Sequence, residues 1–258
     1  MRIQIVIFSL FIGCFSVFGE NIEPADSLRT NDPVLDNANS FRLRNFIIPT
    51  ALISYGVAAR FSESLRNIDY SIHEEIKANV TRRYTFDDQL QFASPVAMLA
   101  LNLSGVPSRH NSRDQAIIYA NAYLLNGASV RLVKRATQVP RPNEGRKNAF
   151  PSGHTANAFV GAHILFKEYR DVSPWIGVAG YLSATTVAAM RMINQRHWLS
   201  DVVAGAGFGI LTVELSYLML PIYHRLFGIT SDGNGINSVF VAPIVGTNLH
   251  GAALSVRF

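Results

Sequence analysis

Lys134 and Arg141, then Ser152, Gly153 and His154, then Arg191, His197 and Asp201 fall in three short blocks in the second half of the chain. These side chains are fixed cations, a small helix-opening pair, two imidazoles and a carboxylate. Such a set can hold a phosphate and break one of its ester bonds through a phospho-histidine. In the third block, His197 and Asp201 are four apart. On a helix they share one face, so the carboxylate can take the proton of one ring nitrogen and leave the other as a nucleophile. In the second block, Pro151-Ser152-Gly153-His154 precedes an apolar run. A helix start there offers free N–H groups and a positive dipole end to an anion, and places His154 to protonate a leaving oxygen. In the first block, Pro140 and Pro142 hold Arg141 in a stiff turn beyond the helix that ends near Lys134. A guanidinium so held suits phosphate oxygens. Each block alone also reads as something ordinary: a surface ion pair, a serine-capped helix start, basic residues at a helix C-terminus. Together they are chemically complete.

The elements that must position these residues are helical. Apolar segments near 46–61, 64–79, 92–105, 114–135, 154–168, 174–191 and 197–224 are separated by Gly, Pro and polar clusters, with no strand-like alternation among them. This predicts an all-α helical bundle over 45–228. Residues 229–258 change character. A linker rich in Gly, Asn and Ser leads into two extended runs around Gly246-Thr-Asn-Leu-His-Gly251, which predicts a C-terminal β-hairpin-like tail. Residues 1–19 have the positive start, apolar core and small residues (Val17, Gly19) of a cleavable signal peptide, and 20–44 read as a polar arm. The single cysteine, Cys14, lies in that leader, so a mature chain would carry no thiol.

At 258 residues, 48% hydrophobic and net +5, the chain is long enough for one domain and basic enough to favour phosphorylated substrates or an anionic membrane surface. It has no zinc-finger spacing and no Lys/Arg-dense stripe, which excludes an obvious nucleic-acid binder. Most apolar runs are shorter than a span or broken by Asn, Arg or His. The favoured expectation is therefore an exported protein on the periplasmic side, peripheral to the membrane. The alternative is an integral multi-span protein, which the distribution of Arg109, Arg113, Lys167 and Arg170 on the side away from the blocks would suit.

The blocks resemble those of the type 2 phosphatidic acid phosphatase superfamily, which contains lipid phosphatases, bacterial acid phosphatases and vanadium haloperoxidases. Lys134, Arg141 and Pro142 match the first family motif, Pro151 to His154 the second, and Arg191, His197 and Asp201 the third. The resemblance covers roughly 92–224. It implies that Lys134, Arg141, Ser152, Gly153 and Arg191 bind the phosphate, that His197 is the nucleophile oriented by Asp201, and that His154 is the general acid, with no cofactor and no metal. Met190 stands where the family has serine, and the loop from Pro142 to Pro151 is short for it. The function implied is hydrolysis of phosphate monoesters or pyrophosphates. The expected partners are phosphorylated lipids such as phosphatidic acid, phosphatidylglycerol phosphate, undecaprenyl pyrophosphate or lipid A. An acid phosphatase acting on soluble esters and a vanadate-dependent haloperoxidase are the alternatives. His73, His110, His163, His224 and His250 have no counterpart in the motifs and are expected to be structural or on the surface.

Overall fold

Local chemistry decides where each helix starts and stops. Helix α1 (Arg44–Phe61) ends at Ser62, whose backbone is extended and whose hydroxyl accepts from Leu65 N to open α2 (Glu63–Asn79). A one-turn helix, α3 (Asp87–Leu90), precedes α4 (Ala93–Leu103). Asn111 caps the long α5 (Ser112–Thr137) by accepting from Asp114 N at 2.9 Å. Lys134 and Arg135 lie in its last turn, and Gln138 stops it in the left-handed region at φ 46°. Helix α6 (Gly153–Tyr169) follows the Pro-Ser-Gly-His block, α7 (Pro174–Ile193) begins on a proline, and α8 (Leu199–Leu226) begins after Trp198. The structure, a computed structural model, describes residues 42–81, 85–143, 145–227 and 229 and, for the backbone alone, 238–245 and 250–257. The signal peptide and nearly all of the polar arm expected from the sequence lie outside the described residues.

The bundle is all-α, built around α6 and α8. Helix α6 packs on α7, α8, α4 and α5, and α8 packs on α1, α6 and α5. One apolar core joins Ile118, Ala122, Val160, Ile164, Val213 and Leu220; a second joins Phe159, Ala162, Val187 and Ile210. Small residues on α8 set how closely its neighbours approach. A Cβ on Gly205 would fall 2.6 Å from the carbonyl oxygen of Ser152, and one on Gly209 2.5 Å from that of Ala156. Glycine at both positions lets the start of α6 lie directly against α8, which fixes Ser152 and everything after it.

The end of the bundle away from the three blocks is closed by buried ion networks. Glu214 is contacted by Lys167 Nζ at 2.8 Å, His163 Nε2 at 2.7 Å and Asn45 Nδ2 at 3.1 Å. Glu168 is contacted by His110 Nδ1 at 2.9 Å and Tyr217 Oη at 2.5 Å. Buried carboxylates persist when paired and hydrogen-bonded in this way. Two helices, Pro174–Ile193 and Leu199–Leu226, are long and apolar enough to cross a membrane by length and composition.

Strand β1 (Ser238–Val245) pairs antiparallel with β2 (His250–Arg257), with Val241 opposite Leu254. The two extended runs thus pair as antiparallel strands, and the residues between them, 246–249, lie outside the described residues. Two further differences from the sequence reading matter for the site. The last long helix begins at Leu199 rather than 197, so His197 precedes it. The helix α3 was not expected at all, and it carries two aspartates that face the site.

Candidate active site

The C-terminal end of α5, the loop after it, the start of α6 and the turn between α7 and α8 meet at one end of the bundle. They bring Lys134, Arg141, Ser152, Gly153, His154, Arg191, His197 and Asp201 into one neighbourhood. Lys134 Nζ donates to the carbonyl oxygens of Asn148 and Ala149, at 2.5 and 3.2 Å. An ammonium has three donors, so one remains for a ligand. Burial pulls the Lys134 ammonium down to about 8, helped by the nearby charges of Arg141 and Arg191 and opposed by Asp201. Arg141 is set by its own loop: Nε donates to Asn148 Oδ1 at 2.8 Å, and its backbone N–H to Arg146 O at 3.0 Å. The short loop from Pro142 to Pro151 therefore folds back and pins both cations.

Helix α6 opens at Gly153, so its first N–H groups have no carbonyl behind them within the helix. Ser152 is fully buried; its N–H donates to Asp201 O at 2.9 Å, and its Oγ lies 2.9 Å from Thr155 Oγ1. The serine thus locks the start of α6 to the start of α8. Its hydroxyl is engaged with that of Thr155, and either of the two can donate. The anion-facing donors of this block are those of the helix start.

Asp201 carries the third block. It is 0% exposed, and its Oδ2 accepts from Trp198 N at 2.9 Å, capping α8. The same oxygen lies 3.5 Å from His197 Nδ1, too long for a made hydrogen bond. His197 reaches it from the turn before the helix, so the pair is joined across a helix cap rather than along a helix face. The turn itself is held by Arg196 N donating to Arg191 O at 3.0 Å, with Gln195 at φ 54°. Burial holds the His197 imidazole down at about 4, and the Lys134 and Arg191 cations add to this against the pull of Asp201. His197 is therefore neutral at physiological pH, the state a nucleophile needs.

His154 stands in a different setting. Its Nε2 lies 2.9 Å from Asp88 Oδ1, and its side chain is 34% exposed. Burial and then the Arg191 charge hold it below its ordinary value, against Asp88 and Asp87. Arg191 is 3% exposed; its Nη1 meets Asp87 Oδ2 at 2.5 Å and Asp88 Oδ1 at 3.1 Å.

Residues from the first half of the chain complete the site, and no motif pointed to them. Arg60 on α1 pairs with Asp69 on α2 at 2.9 Å and sits 4.0 Å from Asp201 Oδ1. It also contacts Ser200 Oγ. Asp69 accepts from Ser200 N at 2.9 Å and from Ser200 Oγ at 2.5 Å. Burial pushes the Asp69 carboxyl up, against the Ser200 hydrogen bonds and Arg60. Behind the Asp201 carboxylate there is thus an Arg60–Asp69–Ser200 brace. Among the described residues, the buried side-chain atoms without a hydrogen-bond partner include Arg60 Nε, Arg191 Nε, His197 Nδ1 and Asp201 Oδ1. Buried polar groups are nearly always paired, so their gathering here marks a site under functional constraint.

The histidines without motif counterparts have other partners. His110 and His163 meet Glu168 and Glu214, His224 Nε2 lies 3.0 Å from Asp114 Oδ1, and His73 packs edge-on against Trp198. Met190 is buried at 5% exposure. His250 lies in β2, of whose side chains nothing is described.

The sequence model of the PAP2 superfamily matches residues 115–225. The chain is 35% identical over 161 residues to the lipid A 1-phosphatase of Porphyromonas gingivalis; the match covers 62% of this chain and 36% of that protein. The chain therefore spans little more than a third of that relative's length. Two solved structures are similar. One is LpxE of Aquifex aeolicus, with a TM-score of 0.43, 21% identity, and 55% of this chain and 92% of that one covered. The other is a transmembrane PAP2-type phosphatidylglycerolphosphate phosphatase of Bacillus subtilis, with a TM-score of 0.43, 18% identity, and 72% and 98% covered.

Proposed function

We propose that the chain, whose residues 115–225 match the sequence model of the PAP2 superfamily, is a phosphatase of that superfamily acting on lipid phosphate monoesters through a phospho-histidine. The observation that carries this reading is a buried His197 with its Nδ1 3.5 Å from Asp201 Oδ2 and a more open His154, both within electrostatic reach of Arg191. His197 Nε2 attacks phosphorus as the ester P–O bond breaks. The leaving oxygen takes the proton of His154, and Asp201 stabilises the imidazolium forming at His197. In the second half, neutral His154 removes a proton from water, whose oxygen attacks phosphorus. The P–N bond breaks and phosphate leaves, with Lys134, Arg141, Arg191 and the α6 N-terminus holding its oxygens throughout.

The lipid assignment has separate support. A half-open groove of about 630 Å³, lined by Val57, Phe61, Tyr70, Phe150 and Trp198 together with Arg60, Arg66 and Asp69, runs past Trp198, the neighbour of His197 in the chain. Trp198 adjoins His197, and its Nε1 donates to Pro140 O at 2.9 Å, next to Arg141. An apolar body attached to a bound phosphate has somewhere to lie there. The curated relative acts on lipid A, by its name, which favours a phosphorylated glycolipid among the lipid phosphates. We place the protein at the membrane of the cell envelope, with the site on its outer face.

The test is phosphate release by the full chain across a panel: lipid A, phosphatidic acid, phosphatidylglycerol phosphate, undecaprenyl pyrophosphate and soluble phosphate esters. Acid-labile ³²P should be trapped on His197 in a quench. Release from soluble esters alone would overturn the lipid assignment, and turnover with no phospho-enzyme would overturn the mechanism.

A further inference from the structure

Helix α3 puts two carboxylates on Arg191, and they differ in freedom. Asp87 is 1% exposed and is also contacted by Asn194 Nδ2 at 3.3 Å. It is a permanent partner that holds the guanidinium in place. Asp88 has a 55% exposed side chain, while its backbone is pinned by Gln91 Nε2 donating to Asp88 O at 2.7 Å. The carboxylate can swing away without disturbing the helix. One of its oxygens, Oδ1, is shared between His154 Nε2 at 2.9 Å and Arg191 Nη1 at 3.1 Å. A general acid and a phosphate-binding arginine would both address a phosphoryl group or its leaving oxygen from those two atoms.

An empty phosphate cradle is hostile to a protonated imidazole. Cations surround it, and water does not fully solvate it. Yet a general acid must hold its proton before substrate arrives. The charged groups facing His154 are Arg191 on α7, which expels the proton, and Asp87 and Asp88 on α3, which retain it. Asp87 is committed to Arg191 and Asn194, which leaves Asp88 as the direct partner.

We propose that Asp88 is the positioning residue of the general acid: before substrate binds, its carboxylate stands in for the phosphoryl anion between His154 and Arg191, aligns His154 and offsets part of the proton loss that burial and Arg191 impose on it, and gives way to the substrate. This rests on the reading of His154 as proton donor. It has consequences of opposite sign. Removing the charge makes His154 easier to deprotonate. It also removes a tethered competitor from the cradle, so free phosphate binds more tightly, because apparent affinity falls with the fraction of sites blocked. A residue that only shaped the pocket, or that bound substrate, would produce no such pair of effects.

The experiment compares the wild-type full chain with Asp88→Asn, which keeps size and hydrogen-bonding capacity at an exposed position. Histidine-selective ¹⁵N labelling, with His154→Asn to identify the resonance, follows the titration of His154 without substrate. Calorimetry follows binding of inorganic phosphate. In Asp88→Asn the His154 titration moves to lower pH and phosphate binds more tightly, on the order of threefold or more. Wherever turnover is measured, the alkaline limb of kcat/KM moves to lower pH and KM falls. An unchanged His154 titration, or weaker phosphate binding, overturns the proposal. If these shifts occur but no phosphate ester is hydrolysed, Asp88 still tunes His154 and competes with phosphate for the cradle, and it is the functional reading that fails. A wild type that binds no phosphate removes both.

Discussion

The two histidines of the site live in opposite surroundings. His197 is 4% exposed and backed by a carboxylate that is 0% exposed. That carboxylate is braced by a helix cap and by an arginine from another helix. His154 has a 34% exposed side chain, and its partner Asp88 is more exposed still. The difference suits the tasks proposed for them. A nucleophile must be neutral and in line before the substrate arrives, and desolvation between rigid neighbours secures both. A general acid must lose a proton and take one back within each turnover, which requires an exchangeable partner and access to water. One half of the site is therefore set by packing, the other by an ion contact that can be broken.

Substitution of the packed half should be the more damaging. His197→Asn removes the only proposed nucleophile, so turnover should fall by about 10⁴-fold or more and no phospho-enzyme should form. Quenched-flow trapping with labelled substrate decides this; a variant that still accumulates phospho-enzyme would move the nucleophile elsewhere. His154→Asn leaves nucleophile and clamp intact, so its defect should depend on the leaving group. An alkyl phosphate should lose ~10²–10⁴-fold, the usual worth of a general acid. Nitrophenyl phosphate, whose leaving group needs little protonation, should lose far less in its burst phase. Equal losses on both substrates would end the contrast between the histidines. Asp201→Asn should fall between the two, because it disturbs the tautomer of His197 without deleting the ring.

The contrast also fixes the pH profile. In the proposed mechanism His197 acts neutral and His154 acts protonated. With His197 held at about 4, kcat/KM should lose about tenfold per pH unit below that value. With His154 below its ordinary histidine value, the alkaline limb should begin under about 6.5. The optimum therefore lies in the acid range. The carboxylates beside them, Asp201 at His197 and Asp88 and Asp87 at His154, pull both values up. In the empty site burial reverses the sign for both, because desolvation penalises the imidazolium more than one carboxylate restores. Rates that climb steadily into alkali would contradict this assignment.

How much of this was legible in the sequence depends on whether a residue signals locally. Lys134, Arg141, Arg191, His197 and Asp201 stand at fixed spacings beside Pro, Gly and helix ends, so motif and position agree. The helices were legible for the same reason: apolar runs with polar and Pro or Gly boundaries. Arg60, Asp69, Asp87 and Asp88 had no such signal. Arg60 sits at the end of an apolar helix and Asp69 in the middle of an amphipathic one, and neither falls in a motif. They become site residues only through the docking of α1 and α2 on α8, which spacing along the chain does not encode. The Asp87–Asp88 turn was missed because a one-turn helix has no periodicity to detect. His197 was placed on the last helix because Asp201 lies four residues on, but the cap formed by Asp201 on Trp198 N starts the helix after it.

The brace behind Asp201 yields the smallest effect and the finest test of the packed half. Asp201 Oδ1 is buried without a hydrogen-bond partner, and the guanidinium of Arg60, at 4.0 Å, faces it. Asp69 neutralises Arg60 and ties it to Ser200, so the brace adds little net charge while restricting where the Asp201 carboxylate points. Arg60→Met should remove a charged contact worth ~1.5 kcal/mol, or roughly tenfold in kcat. It should also raise the His197 titration, because a cation near the dyad is lost while the carboxylate remains. The acid limb of kcat/KM should then move to higher pH. Arg60→Lys keeps the charge but not the fork that spans Asp69 and Asp201. It should hold the acid limb near its wild-type position while recovering only part of kcat. The measurement is the pH dependence of kcat/KM for the three proteins, with thermal melts run alongside. If Arg60→Met lowers the melting temperature and the rate without moving the acid limb, Arg60 is a structural tie between α1 and α8, and the coupling to His197 is withdrawn.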